Sequence, residues 1–262
     1  YDVTGDGGID MVDVAELFKS GDNALTQLNG DGDFRSLECV NLLDEADIVV
    51  TNPPFSLFRE FVSLIVEHQK NFIIIGNQNA ISYEETFSLM KNNKMWIGAS
   101  IHSGDRAFFV PDDYPLDAAG CGIDEETGRK YIRVKGVRWF TNLDIKQRHE
   151  EMILVRRYVP DEYPTYVNYN AIEVAKTSDI PCDYSREMGV PITFMDKYNP
   201  DQFEIVGISR ELVRTLSDDV RKNGAYPQIG RFYLDTGEAK YKKVYERLVI
   251  RNKHPEVPKG AQ

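Results

Sequence analysis

The stretch Asp47-Ile48-Val49-Val50-Thr51-Asn52-Pro53-Pro54-Phe55-Ser56-Leu57-Phe58-Arg59-Glu60-Phe61 decides the fold. Residues 47–51 read as a short strand buried on both faces, because the apolar run shows no polar alternation. Two prolines then end it, since neither can donate to a ladder. Over residues 56–68, Leu57, Phe58, Phe61, Val62 and Ile65 recur at helical spacing and mark one apolar side.

The same grammar continues on both sides. Upstream, Ser36 is placed to cap a helix over residues 36–45, in which Leu37, Val40 and Leu43 share a face. Downstream come a second buried strand at residues 72–76, a helix at 82–92 with Ser82 and Glu85 in capping-box spacing, and a third strand at 94–99. Strand, helix, strand, helix, strand with short links implies right-handed parallel crossovers. The expected fold is therefore α/β, a doubly wound Rossmann-like sheet. Residues 131–142 and 152–158 read as two long strands, an antiparallel pair added to it. Residues 161–200, rich in Tyr, Pro, Asn and Asp, predict an irregular but ordered lobe, followed by strands at 203–208, 231–234 and 245–251.

With 262 residues, 42% of them hydrophobic, the chain has the makings of a full core. The apolar runs are too short to cross a bilayer. No secretory leader is recognisable, and the three cysteines, Cys39, Cys121 and Cys182, lack metal-ligand spacing. Together these point to a reducing, cytoplasmic setting without a membrane partner. A net charge of −11 argues against a polyanionic partner as far as the sum goes. Placement is a different quantity: cations gather at Arg129, Lys130, Arg133, Lys135 and Arg138, at Lys146, Arg148, Arg156 and Arg157, and from Lys240 to Lys253. Each group reads equally well as a basic face or as solvated charge.

Asn52-Pro53-Pro54-Phe55 sits where ligands bind in open α/β sheets, at the carboxyl end of a strand. A side-chain amide oxygen and a proline carbonyl are two acceptors for an amino group, and proline's locked φ fixes the carbonyl's direction. The phenylalanine that follows offers a stacking face. Such a site suits an aromatic amine whose lone pair is delocalised into its ring and must be aimed at an electrophile. The plainer reading is a turn that merely ends a strand; the strand before and the amphipathic helix after favour the first.

Residues 47–61 (DIVVTNPPFSLFREF) resemble motif IV of the amino-methyltransferases that act on DNA adenine. The wider text is similar to the EcoRI-type adenine-specific methyltransferase family at residues 30–36 (GDGDFRS), 72–81 (FIIIGNQNAI), 137–144 (VRWFTNLD), 180–184 (IPCDY) and 188–202 (MGVPITFMDKYNPDQ). The resemblance implies S-adenosylmethionine as donor, a flipped adenine of duplex DNA as acceptor and N6-methyladenine as product, in a restriction-modification or phage setting and from a monomer. It implies Asn52 and Pro53 as acceptors for the adenine amino group, Pro54 as part of the same turn and Phe55 as the stacking ring. Asp31, Asp33 and Phe34 would contact the cofactor's adenine. Trp139 and Phe140 would form a second aromatic wall, with Arg106 and Arg138 at the DNA. Residues 1–158 would be the catalytic core, and 159–262 a lobe for DNA recognition.

The strand end that grips the cofactor's methionine part in this family has no counterpart before residue 30, and Tyr1 stands in place of an initiator Met. The N-terminal part of the fold is thus expected to be missing. A catalytically silent DNA- or protein-binding module of the same fold is the rival reading. A third comes from Asp2, Thr4, Asp6, Asp10 and Asp13, which fall at positions one, three, five, nine and twelve of an EF-hand-like calcium loop. A Gly/Asp turn without metal explains that segment as well.

Overall fold

The computed structural model describes Glu16, Lys19 and residues 26–99, 105–117, 119–237 and 240–257, and the chain divides into two compact units, Tyr1–Ala46 and Asp47–Gln262. The proposed calcium loop, residues 2–13, lies outside the described residues.

In the first unit, α1 (Leu37–Glu45) starts at its expected cap. Ser36 Oγ accepts from the Cys39 N–H at 3.2 Å. Glu38 in the first turn reaches back to accept from the Asn29 and Gly30 N–H groups at 2.8 and 2.9 Å, which pulls its carboxyl below the ordinary range.

The second unit opens with β1 (Ile48–Thr51), a 3-10 turn (Phe55–Leu57), α2 (Phe58–Glu67) and β2 (Asn71–Asn77). β1 and β2 pair in parallel from Ile48↔Asn71 to Thr51↔Ile74, so the predicted crossover is present. Phe58, Phe61, Val62 and Ile65 are the buried residues of α2, a stripe at i, i+3, i+4 and i+7. α3 (Glu84–Lys91) leads into β3 (Trp96–Ile97), two residues where six were expected.

β4 (Asp105–Phe109), β5 (Cys121–Ile123), β6 (Lys130–Lys135) and β7 (Val137–Thr141) follow. Here the parallel-sheet expectation needs correcting. The run read as one long strand is cut at Gly136, whose φ of +67° only glycine adopts freely. β6 joins β4 and β5 in an antiparallel sheet of its own, ordered β4-β6-β5. β7 inserts between β2 and β3, antiparallel to both, giving the order β1-β2-β7-β3. The architecture is mixed α/β with several small sheets.

Two more expectations change. β1 is not covered on both faces: it is an edge strand, and Val50 remains 66% exposed. Residues 152–158 form no strand: Arg156 makes a single backbone bridge to Pro181, and at Met152 a side chain takes the place of a ladder. The Met152 N–H donates to Gln202 Oε1 at 2.8 Å, and Gln202 Nε2 donates to the Met152 carbonyl at 2.7 Å.

β8 (Ile172–Glu173), β9 (Met188–Pro191), β10 (Phe203–Ile208) and β13 (Arg247–Asn252) form a sheet ordered β10-β13-β9-β8, and β11 (Tyr233–Asp235) pairs with β12 (Tyr241–Lys243). Residues 161–200 are irregular yet packed, as their composition predicts: Tyr163, Tyr166, Ile180 and Phe194 are buried. Among the described residues no helix is long and apolar enough to cross a membrane.

Candidate active site

Asn52 begins where β1 ends, at the carboxyl edge of the four-stranded sheet. Thr51 is level with Ile74 of β2 and, across β2, with Phe140 of β7; one row further, Ile75 is level with Trp139. Asn52 and Pro54 are exposed, Phe55 is half-buried, and Pro53 between them is buried. The tetrapeptide is thus anchored by one proline while its amide and second proline face outward. The turn closes when the Leu57 N–H donates to the Pro54 carbonyl at 3.0 Å.

Packed aromatic rings lie beneath this edge. Phe58 and Phe140 are 2% and 0% exposed, with ring centroids 5.1 Å apart. They meet over Gly76, where an added β-carbon would stand 2.5 Å from Phe58 and 2.9 Å from Phe140. A glycine at the end of an apolar strand is the local signal for such close approach. Phe140 is therefore a core ring rather than a wall for a base. Its neighbour Trp139 points to the opposite face and stays half-buried, in the row beyond Thr51.

Arg138 also departs from expectation. At 1% exposure it cannot reach a DNA backbone: its guanidinium donates to Gln78 Oε1 at 2.9 Å and lies 3.5 Å from Asp196. It braces the turn after β2, where the Gln78 N–H donates to the Gly136 carbonyl at 2.6 Å and Asn77 Nδ2 to the Lys135 carbonyl at 3.2 Å. Asn77, Gln78 and Asp196 were missed as site-supporting residues. The polar run Asn77-Gln78-Asn79 directly after FIIIG was the available clue. Arg106 on β4 is exposed and forms no ion pair among the described residues.

Asp31, Asp33 and Phe34 belong to the first unit, next to Gly32 with its φ of +78°. Asp33 accepts from the Arg35 N–H and Nε through one oxygen, at 2.9 and 3.0 Å, and from a terminal Arg35 nitrogen through the other, at 2.8 Å. The side-chain hydrogen bonds from Arg35 lower its pKa to about 2. Asp33 lies beside the half-buried ring of Phe34, over which the Arg35 guanidinium stands 5.4 Å from the centroid; Asp31 is exposed and accepts from the Asp33 N–H at 3.1 Å. No cluster of metal-ligating side chains occurs among the described residues.

A family model described as adenine-specific methyltransferase EcoRI matches residues 1–253. The chain is similar to the Type II methyltransferase M.EcoRI of Escherichia coli, 48% identical over 187 residues, which cover 71% of this chain and 57% of that protein. The Type II methyltransferase M.MpnI of Mycoplasma pneumoniae is 38% identical over 229 residues, 86% of this chain and 70% of its own length. M.MgeORF184P of Mycoplasma genitalium is 36% identical over 230 residues, 86% of this chain and 71% of that protein. The chain thus spans little more than half of the first relative and about seven-tenths of the other two. No solved structure matches it.

Proposed function

The chain belongs to the EcoRI family of adenine-specific methyltransferases, and from that premise we propose that it transfers a methyl group from S-adenosylmethionine to the N6 amino group of an adenine flipped out of duplex DNA. The observation that carries this reading is the outward-facing Asn52 held at a strand's carboxyl end by a buried proline. Asn52 Oδ1 and the Pro53 carbonyl accept from the two N–H bonds of the amine. Those bonds draw the nitrogen lone pair out of ring conjugation and aim it. The face of Phe55 holds the base that has left the duplex stack, with half-buried Trp139 as a second contact. Pro54 keeps the turn stiff.

Asp33 and Phe34 fit the adenine of the cofactor: an ionised acceptor suits its amino group, and a half-exposed ring suits its face. Asp31 adds a further acceptor. When bound, the cofactor supplies an electrophilic methyl on a sulfonium. With the cofactor bound, Asn52 and Pro53 would hold the N6 amine toward that methyl, the new N–C bond replacing the C–S bond whose electron pair would stay on sulfur. The proton shed by the alkylated nitrogen leaves along the hydrogen bonds at Asn52 and Pro53 to water.

The run β1–α2–β2–α3–β3 is, in this reading, the carboxyl half of a doubly wound sheet, and residues 159–262 supply DNA recognition. The protein acts as a monomer in the cytoplasm. Incubating it with S-adenosylmethionine and mixed-sequence duplex, then measuring N6-methyladenine by mass spectrometry of the digest, tests the proposal. Duplex that is bound but never methylated would return the silent binding-module reading.

A further inference from the structure

Arg133 and Lys135 of β6 lie on one face of the β4-β6-β5 sheet, and Arg106 and Lys130 on the other. β6 runs into β7 through Gly136, and Val137 pairs with Asn77, the last residue of β2. The sheet therefore rises from the same carboxyl edge at which Asn52 begins. Pairing is antiparallel, with Ala107↔Arg133, Phe109↔Tyr131 and Gly122↔Tyr131 in register. Residues in register share a face, so Ala107, Phe109, Tyr131, Arg133 and Lys135 lie on one side, with Asp105 in register opposite Lys135. On that side Ala107, Phe109, Arg133 and Lys135 are exposed, whereas Phe108, Ile132 and Val134 opposite are half-buried.

Two guanidinium groups rest on aromatic rings there. Arg129 sits 4.1 Å from the ring centroid of Phe109, and Arg133 sits 5.7 Å from that of Tyr131. The Tyr131 ring lies across Gly122, where a β-carbon would come within 2.8 Å of its hydroxyl. Stacking fixes where the guanidinium planes stand but leaves their N–H donors free. Among the described residues, Arg129, Arg133 and Lys135 form no ion pair. The acidic residues Asp124, Glu125 and Glu126 lie in the β5–β6 turn, the end remote from β7, and Asp124 is occupied by Thr127 at 2.7 and 2.8 Å. A chain of net charge −11 thus keeps Arg129 and Arg133 out of ion pairs with the described residues on this face, with Arg129 at the acidic turn and Lys135 level with Asp105.

We propose that this face, with Arg129, Arg133 and Lys135 as its cations and Phe109 and Tyr131 as their supports, clamps the phosphate backbone of duplex DNA next to the extruded base. The clamp rests on the methyl-transfer function proposed above. From Arg129 to Lys135 the strand covers about 20 Å, the axial length of about six base pairs. Donors held in fixed directions along that length suit the repeated oxygens of one strand, and they carry no base preference.

The test is the salt dependence of duplex binding, measured by fluorescence anisotropy for the parent protein, the double variant Arg133→Gln/Lys135→Gln, and Lys94→Gln as an exposed-cation control before β3, at the opposite edge of the four-stranded sheet from Asn52. Each lost phosphate contact removes about 0.9 from the slope of log K against log salt. The double variant should be shallower by about 1.8, with an unchanged melting temperature. The swap Arg133→Lys/Lys135→Arg should keep the parent slope, and Lys94→Gln should leave it unmoved. If the double variant keeps the parent slope while the parent binds and methylates DNA, the clamp is wrong and the activity stands. A parent that neither binds nor methylates duplex overturns both.

Discussion

Replacing Asn52 by alanine separates chemistry from folding at one atom. The side chain is exposed and forms no hydrogen bond among the described residues, so its removal leaves no cavity and no orphaned partner. Stability should change by no more than about 0.5 kcal/mol. The acceptor acts only when an amine lies against it, so the loss should fall on the chemical step. Removing one preorganised hydrogen-bonding group from a reacting centre costs about 2.7–4 kcal/mol, a drop in kcat of about 10²–10³. Duplex affinity, set by backbone contacts elsewhere, should hold. Single-turnover methylation with labelled S-adenosylmethionine, run beside thermal unfolding and duplex binding, reads all three quantities. An Asn52→Ala protein at full rate would refute the role assigned to the turn. So would a slow one whose melting temperature had collapsed, because the fault would then lie in folding.

Other perturbations probe the frame around the site. Glu173 is 7% exposed, accepts the Tyr166 hydroxyl and pairs with Arg247 at 2.6 Å; Glu173→Ala leaves a half-buried cation without its partner and should cost about 2–3 kcal/mol in urea unfolding. A loss below about 1 kcal/mol would mean that water already solvates the pair. Gly76→Ala should destabilise by about 1–3 kcal/mol, since Phe58 and Phe140 have nowhere to move, and equal stability would show the rings to be mobile. Burial raises the Cys182 thiol, which is 5% exposed, so alkylation of the native protein should mark Cys39 and Cys121 first; equal rates would place Cys182 in solvent. His149, 2.7 Å from Asp144, has its pKa raised above 6.5 chiefly by that hydrogen bond. Its contribution is complete below 6.5 and is lost as pH rises through the folded value. His149→Gln should flatten the melting temperature across that window, and an unaltered profile would deny the pairing.

What could be read in advance divides along a physical line. Proline and capping effects act within a few residues, so the end of β1, the Ser36 cap and the α2 stripe were all legible. Strand pairing acts between distant residues. Nothing in VRWFT says that β7 will lie between β2 and β3, and the split at Gly136 turns on a backbone angle that glycine permits but does not dictate. Facing suffers the same limit. Trp139 and Phe140 point to opposite sides because strand side chains alternate, yet alternation alone cannot say which side α2 will cover. Gly76 could have settled it: a glycine amid Ile73, Ile74 and Ile75 marks the face on which bulky rings need room, and Phe140 is on that face with Phe58.

The same reasoning reconciles an acidic chain with the polyanionic substrate proposed for it. Binding responds to the potential where contact occurs, and beyond about 8–10 Å at physiological salt a remote carboxylate is largely screened. The cations grouped in sequence do not share one fate. Arg138 is drawn inward to Gln78 and Asp196, while Arg129 and Arg133 are stacked outward on rings in the adjoining sheet. One cluster on paper becomes a structural brace and the proposed docking face, and the change of sheet at Gly136 makes the difference. A net charge computed over the whole chain averages across that break. It bounds solubility and long-range steering, and it leaves open which surface DNA meets.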